Sequence, residues 1–175
     1  MDRRKFITST GVAVTGSLLI NARTKQDLKS KEEEKALSLF RGDYNCSQAI
    51  FMAYSETFNF DQDMATGIAS GFGGGMGRLQ KTCGFVTGSF MILGIYNHNK
   101  YSNARERNSN TYSMVREFHE KFKSIHGATD CLSLMNCDLN TEEGRHYAKE
   151  NRLSEKVCEK CLSDSVKILQ ELMDY

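Results

Sequence analysis

No proline interrupts this chain. That absence constrains the fold more than any other feature. Proline removes a backbone donor and clashes with the preceding turn, so it is the commonest helix breaker. Without it, helices can run wherever the apolar period is right, and their ends must be written in Gly, Asn, Asp and Ser. The 39% apolar and 26% charged composition is ordinary for a globular chain, and 175 residues suffice for one domain with a real core.

The first residues read as an address. Arg3-Arg4-Lys5-Phe6-Ile7 is followed by a mildly apolar stretch to Ile20 and then Asn21-Ala22. A basic start, a short apolar run and a small residue make an export signal. Paired arginines ahead of a weakly hydrophobic run resemble a twin-arginine signal, although Asp2 stands where Ser or Thr is usual and Ile7 replaces Leu. The run is shorter and more polar than the ~20 apolar residues a membrane span needs. Residues 1–22 are therefore expected to direct the chain to the periplasm or another extracytoplasmic space. Ile20 makes a weak cleavage site, and an uncleaved signal would be the chain's membrane contact. A charged arm over 23–34 leads to a helical domain over 35–175. Formal net charge is +1, with no basic aromatic stripe, so nothing steers the chain to nucleic acid.

Helical spacing predicts an all-α, compact single-domain bundle of about five to seven helices. A first helix runs from about Lys29 to Phe40, with Glu32-Glu33-Glu34 as a solvated start, and ends at Gly42. Asn45 caps a second with Cys46 in its first turn, and Asn59-Phe60-Asp61 ends it. Asp61 caps a third containing Met64, Ala65, Ile68 and Ala69. Thr82 caps a fourth with Cys83 in its first turn, apolar nearly all round and hence the central buried helix. Ser102 to His126 is a long amphipathic helix with Tyr112, Val115, Phe118, Phe122 and Ile125 as its core stripe. Thr129 or Asp130 caps a turn holding Cys131, Asn140-Thr141-Glu142-Glu143 opens a short helix, and Ser154 starts the last one. No segment shows a convincing strand period.

Six cysteines mark the chemistry. Cys46, Cys83 and Cys131 each follow a capping residue, where outward N–H groups and the helix dipole favour a thiolate. Cys158 lies about a turn inside the last helix. Cys158-Glu159-Lys160-Cys161 sets two thiols on one face, at a spacing used by metals and dithiols. Cys137 and Cys161 read as core fillers or as a structural disulfide.

Tyr44-Asn45-Cys46-Ser47-Gln48-Ala49, the run Ala69 to Arg78, and Cys83-Gly84-Phe85-Val86-Thr87-Gly88 resemble the C-GCAxxG-C-C family of redox-active proteins. Thr129-Asp130-Cys131, Asp138 to Gly144, and Cys158 with Asp164 fit its second half. Phe85 departs from the family's usual Ala. The resemblance puts the family cysteines on Cys46, Cys83, Cys131 and Cys158, as redox thiols or as ligands of an iron–sulfur cluster or other metal. It implies electron transfer with a partner, such as an exported oxidoreductase. Gly74, Gly75 and Gly84 are the candidate cofactor contacts, because close backbone approach leaves N–H groups free for sulfur. The glycine run does not spell a nucleotide loop and follows a helix rather than a strand. Arg78 stands near enough to Cys83 in sequence to stabilise a thiolate or to pair with a surface carboxylate. His119 and His126 read as surface or edge residues, with a ligand role as the alternative. The alternative function is a non-catalytic exported binding module whose cysteines form structural disulfides.

Overall fold

The computed structural model describes residues 30–173. The expected export signal and the arm up to residue 29 lie outside them. Nine helices occur among the described residues, seven of them at least eight residues long, and there is no strand. They are α1 (Lys31–Arg41), α2 (Cys46–Ala53), α3 (Ser55–Phe58), α4 (Gln62–Ser70), α5 (Gly84–Lys100), α6 (Ala104–His126), α7 (Cys131–Met135), α8 (Glu142–Glu150) and α9 (Glu159–Met173). A π-helical turn, Ser154–Cys158, leads into α9.

The caps follow from local chemistry. Ser30 accepts from the Glu33 amide to open α1, whose acidic first turn and Arg41 at the end suit the helix dipole. Glu33 is buried, so that start is not the solvated run its charges imply. Asn45 and Gln48 form a reciprocal capping box on α2. Asp61 caps α4, Asn103 caps α6, and Gly127 ends α6 in the left-handed region that glycine adopts without strain. Thr82 does not cap α5: Cys83 is itself the N-cap, with no side-chain cap bond.

Two helices make the centre. α5 buries Phe85, Val86, Ile92 and Leu93, and α2 buries every residue from Ala49 to Ala53. They pack on each other. α1 and α4 cover α2, while α6 and α9 cover α5. Fully buried Phe85, Phe118 and Phe122 each contribute about 1.5–3 kcal/mol by leaving water. Phe40 meets Phe85 edge-on at 5.1 Å, closing the space where the family has a smaller residue. The α6 stripe is narrower than its sequence suggests. Phe118 and Phe122 are buried and Val115 is partly buried, but Tyr112, well round the helix from that line, and Ile125, in the last turn, are exposed.

Candidate functional site

The loop between α4 and α5 builds the site. Gly74, Gly75, Met76, Gly77 and Arg78 all have positive φ, from 61° to 70°, and Gln80 has φ 52°. Glycine adopts this left-handed path freely, whereas Met76 and Arg78 each cost about 1–2 kcal/mol. Backbone bonds from Arg78 to Gly73, Gln80 to Gly74 and Lys81 to Gly75 hold the coil closed. The loop then zips to the segment before α7. The Cys83 amide donates to Thr129 O at 2.9 Å, the Cys131 amide to Lys81 O at 2.7 Å, and the Leu132 amide to Gln80 O at 3.2 Å. This short antiparallel bridge, Thr82 to Asp130, brings Cys83 and Cys131 to neighbouring positions.

Glycines let the other pieces close in. A Cβ on Gly75 would stand 2.8 Å from Cys131 Cβ and 2.7 Å from Lys81 O. One on Gly84 would collide with Cys46 Sγ and lie 2.9 Å from the Ser47 amide. The Cys46 thiol therefore rests on the backbone one residue past Cys83. Cys158, last residue of the π turn, sets its Sγ 3.6 Å from Met135 Sδ at the far end of α7. π turns recur at functional positions because the extra residue re-aims a side chain.

The result is a cleft of about 600 Å³ into which Cys46, Cys83, Cys131 and Cys158 all face. Phe40, Phe85, Met135 and Leu139 form apolar walls, and Asn45, Ser70 and Arg78 polar ones. Of the expected glycine contacts, Gly74 lines the cleft, whereas Gly75 and Gly84 lie under Cys131 and Cys46 as close-packing positions. Cys137 does not line it. Its carbonyl accepts from Gln80 Nε2 at 2.9 Å. Cys161 is buried beside His126.

All six cysteines are free thiols. Burial drives the Cys83 thiol well above its ordinary range, and the neighbouring Cys46 adds to the shift. Burial followed by Cys46 raises Cys131 to about 11, and burial followed by Cys161 raises Cys158. Placement at a helix start predicted lowered values. In a cleft shared by several sulfurs, desolvation by burial and mutual repulsion exceed the helix-end field. Among the described residues, no group of three or more His, Cys, Asp or Glu side chains is arranged to hold a metal ion. The four thiols share the cleft without being drawn around one metal-sized centre.

Three contributors were not foreseen. Gln80, buried and with positive φ, accepts from the Leu139 amide at 2.8 Å and donates to Cys137 O, pinning the loop that walls the cleft. Nothing in a glutamine's local sequence signals this. Met135 follows Cys131 by four residues in the helix that Asp130 caps, so an i, i+4 reading finds it. His126, expected at the surface, has a side chain only 7% exposed.

An uncharacterized protein of Archaeoglobus fulgidus is 28% identical to this chain over 129 residues, covering 69% of this chain and 85% of its own length. No solved structure matches this chain. Residues 44–172, which span all four cleft cysteines, match the family described as "Putative redox-active protein (C_GCAxxG_C_C)". The chain belongs to the C_GCAxxG_C_C family.

Proposed function

We propose that this protein is a thiol–disulfide redox carrier that works through the cleft cysteines. The observation that carries the reading is convergence. Four family cysteines, from the start of α2, the N-cap of α5, the start of α7 and the π turn, face one cleft. Packing alone gives no reason for four sulfurs from four elements to share an opening. Two thiols there become one disulfide with release of two protons and two electrons, and the electrons pass to a partner oxidoreductase. The raised thiol pKa values suit neutral sulfhydryls that hold their protons until an oxidant arrives. Export by the Arg3-Arg4 signal would place the carrier outside the cytoplasm with its partner.

The test is a cysteine-by-cysteine serine scan on protein purified without air, read by free-thiol titration, iron content and visible absorbance. Thiols that cycle between reduced and oxidised forms, and lose that cycle when a cleft cysteine is changed, support the carrier. Bound iron lost in each of the four cleft variants would replace it with a cluster protein. Bridges that resist strong reductant would replace it with a structurally crosslinked binding module.

A further inference from the structure

Behind the cleft lies a second constellation that the four family cysteines do not include. Cys161 Sγ is 3.8 Å from His126 Nδ1. On the other side of the ring, His126 Nε2 is 3.3 Å from Asp164 Oδ2, an ion-pair distance without hydrogen-bond alignment. The imidazole packs against Phe122 with centroids 4.4 Å apart and planes tilted by 31°. Asp164 is held in turn by Lys160 at 3.7 Å and Lys167 at 3.5 Å. A thiol, a buried imidazole and an orienting carboxylate in this order are the parts of an activated sulfur nucleophile.

We propose that Cys161 is the resolving thiol for Cys158, with His126 as its general base and Asp164 as the positioning residue of that base. The inference rests on the redox reading above and assigns it a reacting pair. Cys158 faces the cleft and meets the incoming disulfide, whereas Cys161 is 1% exposed and can be reached only from inside. A resolving thiol is best placed so, because an external disulfide cannot attack it. The two residues stand one helical turn apart, where Cβ atoms are about 5–6 Å apart, while a disulfide needs about 3.5–4.5 Å. The turn must tighten by about 1–2 Å. The π turn ending at Cys158 is not locked in the regular α register, so it can supply that shift.

The step balances without a metal. Cys158 first exchanges with a partner disulfide, forming a Cys158–partner mixed disulfide and freeing one partner thiol, which carries away the Cys158 proton. The Cys161 sulfhydryl then passes its proton to His126 Nδ1, and the charge of Asp164 beside Nε2 supports the imidazolium that forms. The Cys161 thiolate attacks Cys158 Sγ, the Cys158–Cys161 bond forms, and the bond to the partner breaks. The leaving partner sulfur takes up the proton. The partner disulfide is reduced to two thiols, and the Cys158–Cys161 dithiol is oxidised to a disulfide.

The resting state suits this order. Burial, then Asp164, raises the Cys161 thiol to about 12, so it needs a base at the moment of attack. Burial lowers the His126 pKa against the opposing pull of Asp164, with Lys160 adding to the lowering, so the ring is neutral and able to accept. Cys161, Lys160 and Asp164, all on α9, are the titratable groups that act on the ring.

The experiment reacts the reduced full-length chain with an aromatic disulfide that releases a coloured thiolate, followed by tryptic mapping. Trypsin cuts after Lys156, Lys160 and Lys167, so a Cys158–Cys161 bridge joins Val157–Lys160 to Cys161–Lys167. The expected result is that joined pair, formed with a second release of colour. Cys161→Ser stops after the first release with the adduct on Cys158. His126→Gln keeps the first release and slows the second about a hundredfold. Asp164→Asn slows the second release and moves the midpoint of its pH profile down, a shift that loss of packing alone does not produce. Should a variant fail to fold, the map of the wild-type chain still decides. A bridge from Cys158 to Cys46, Cys83 or Cys131 instead, or a second release unaffected by Cys161→Ser, overturns the resolving role and leaves the redox reading standing. No bridge at any cleft cysteine overturns both.

Discussion

Gly84→Ala tests the geometry on which the cleft depends. Gly84 is the first residue of α5, and a methyl there would collide with Cys46 Sγ, lie 2.9 Å from the Ser47 amide and 3.1 Å from Phe72 O. Two of those three neighbours are backbone and cannot rotate away, so α2 must retreat from α5. Overpacking of this kind costs about 1–3 kcal/mol. Against it stands the gain of up to about 1 kcal/mol that alanine brings to a helix. The expected net loss is about 1–2 kcal/mol, or a fall in Tm of roughly 4 °C at about 2–4 °C per kcal/mol. Gly94, in the same helix, has nothing within 4 Å of its would-be Cβ. Gly94→Ala is therefore expected to stabilise by about 0.5–1 kcal/mol. Denaturant unfolding of the two variants isolates the close approach from helix propensity, and thiol-labelling rates report whether Cys46 has moved. Equal stability in the two variants, with unchanged Cys46 labelling, would refute the claim that α2 rests on the α5 backbone.

Asn45→Ala removes an acceptor for the Ser47 and Gln48 amides and a donor to Ser70 O, and is expected to cost about 1–2 kcal/mol in denaturant unfolding. Gln80→Ala leaves the Leu139 amide without its partner and is expected to cost about 1–3 kcal/mol, with faster amide exchange at Leu139 as its signature. In the fully reduced chain, Cys131 titrates at about 11 when folded against an ordinary 9.0. Its stabilising contribution is complete below pH 9 and is lost as pH rises to about 11. Denaturant midpoints should fall across that window and fall less in Cys131→Ser, whereas a flat alkaline limb in the wild type would contradict the burial of the thiol. Changing Arg3 and Arg4 to Lys should hold the precursor in the cytoplasm on cell fractionation, and normal export would remove the twin-arginine proposal.

The helices were legible because caps and periodicity are local. Asn45, Asp61 and Asp130 announce their helices by residue type alone, and an apolar run such as Phe85 to Leu93 can be little else than buried. Which cysteines share a cleft is not local information. The family resemblance grouped four of them, but the means of grouping is the pairing of residues 80–83 with 129–132, and an isolated bridge that short leaves no strand period to read. The left-handed coil from Gly74 to Arg78 was half visible. Its glycines signal the conformation, yet Met76 and Arg78 adopt it too, carried by neighbours on both sides. His126 was misread because a histidine in a last helical turn ordinarily faces water. Here the buried faces of α6 and α9 meet at that turn, and Phe122, Cys161 and Asp164 enclose the ring.

Burial explains why Cys83 and Cys131, although they stand at helix starts, hold their protons. A helix end contributes up to about 2 kcal/mol toward a charge in the best partly buried geometry. Removing a charge from water costs several kcal/mol, and a second sulfur nearby opposes ionisation further. Where Cys83 is almost fully buried with Cys46 beside it, the larger effect decides, and the proton stays on sulfur. A chain that needed a standing thiolate would place it at an exposed helix start. A chain that needs a dithiol to stay reduced until a partner docks gains from the opposite arrangement, because neutral thiols exchange slowly with stray disulfides. The cost is that a base must be at hand when the disulfide is completed. Among the described residues, the thiol that has an imidazole within reach is Cys161, not any of the four in the cleft. The protonation state of the cleft and the position of His126 therefore point to the same division of labour: Cys158 receives the partner and Cys161 completes the exchange.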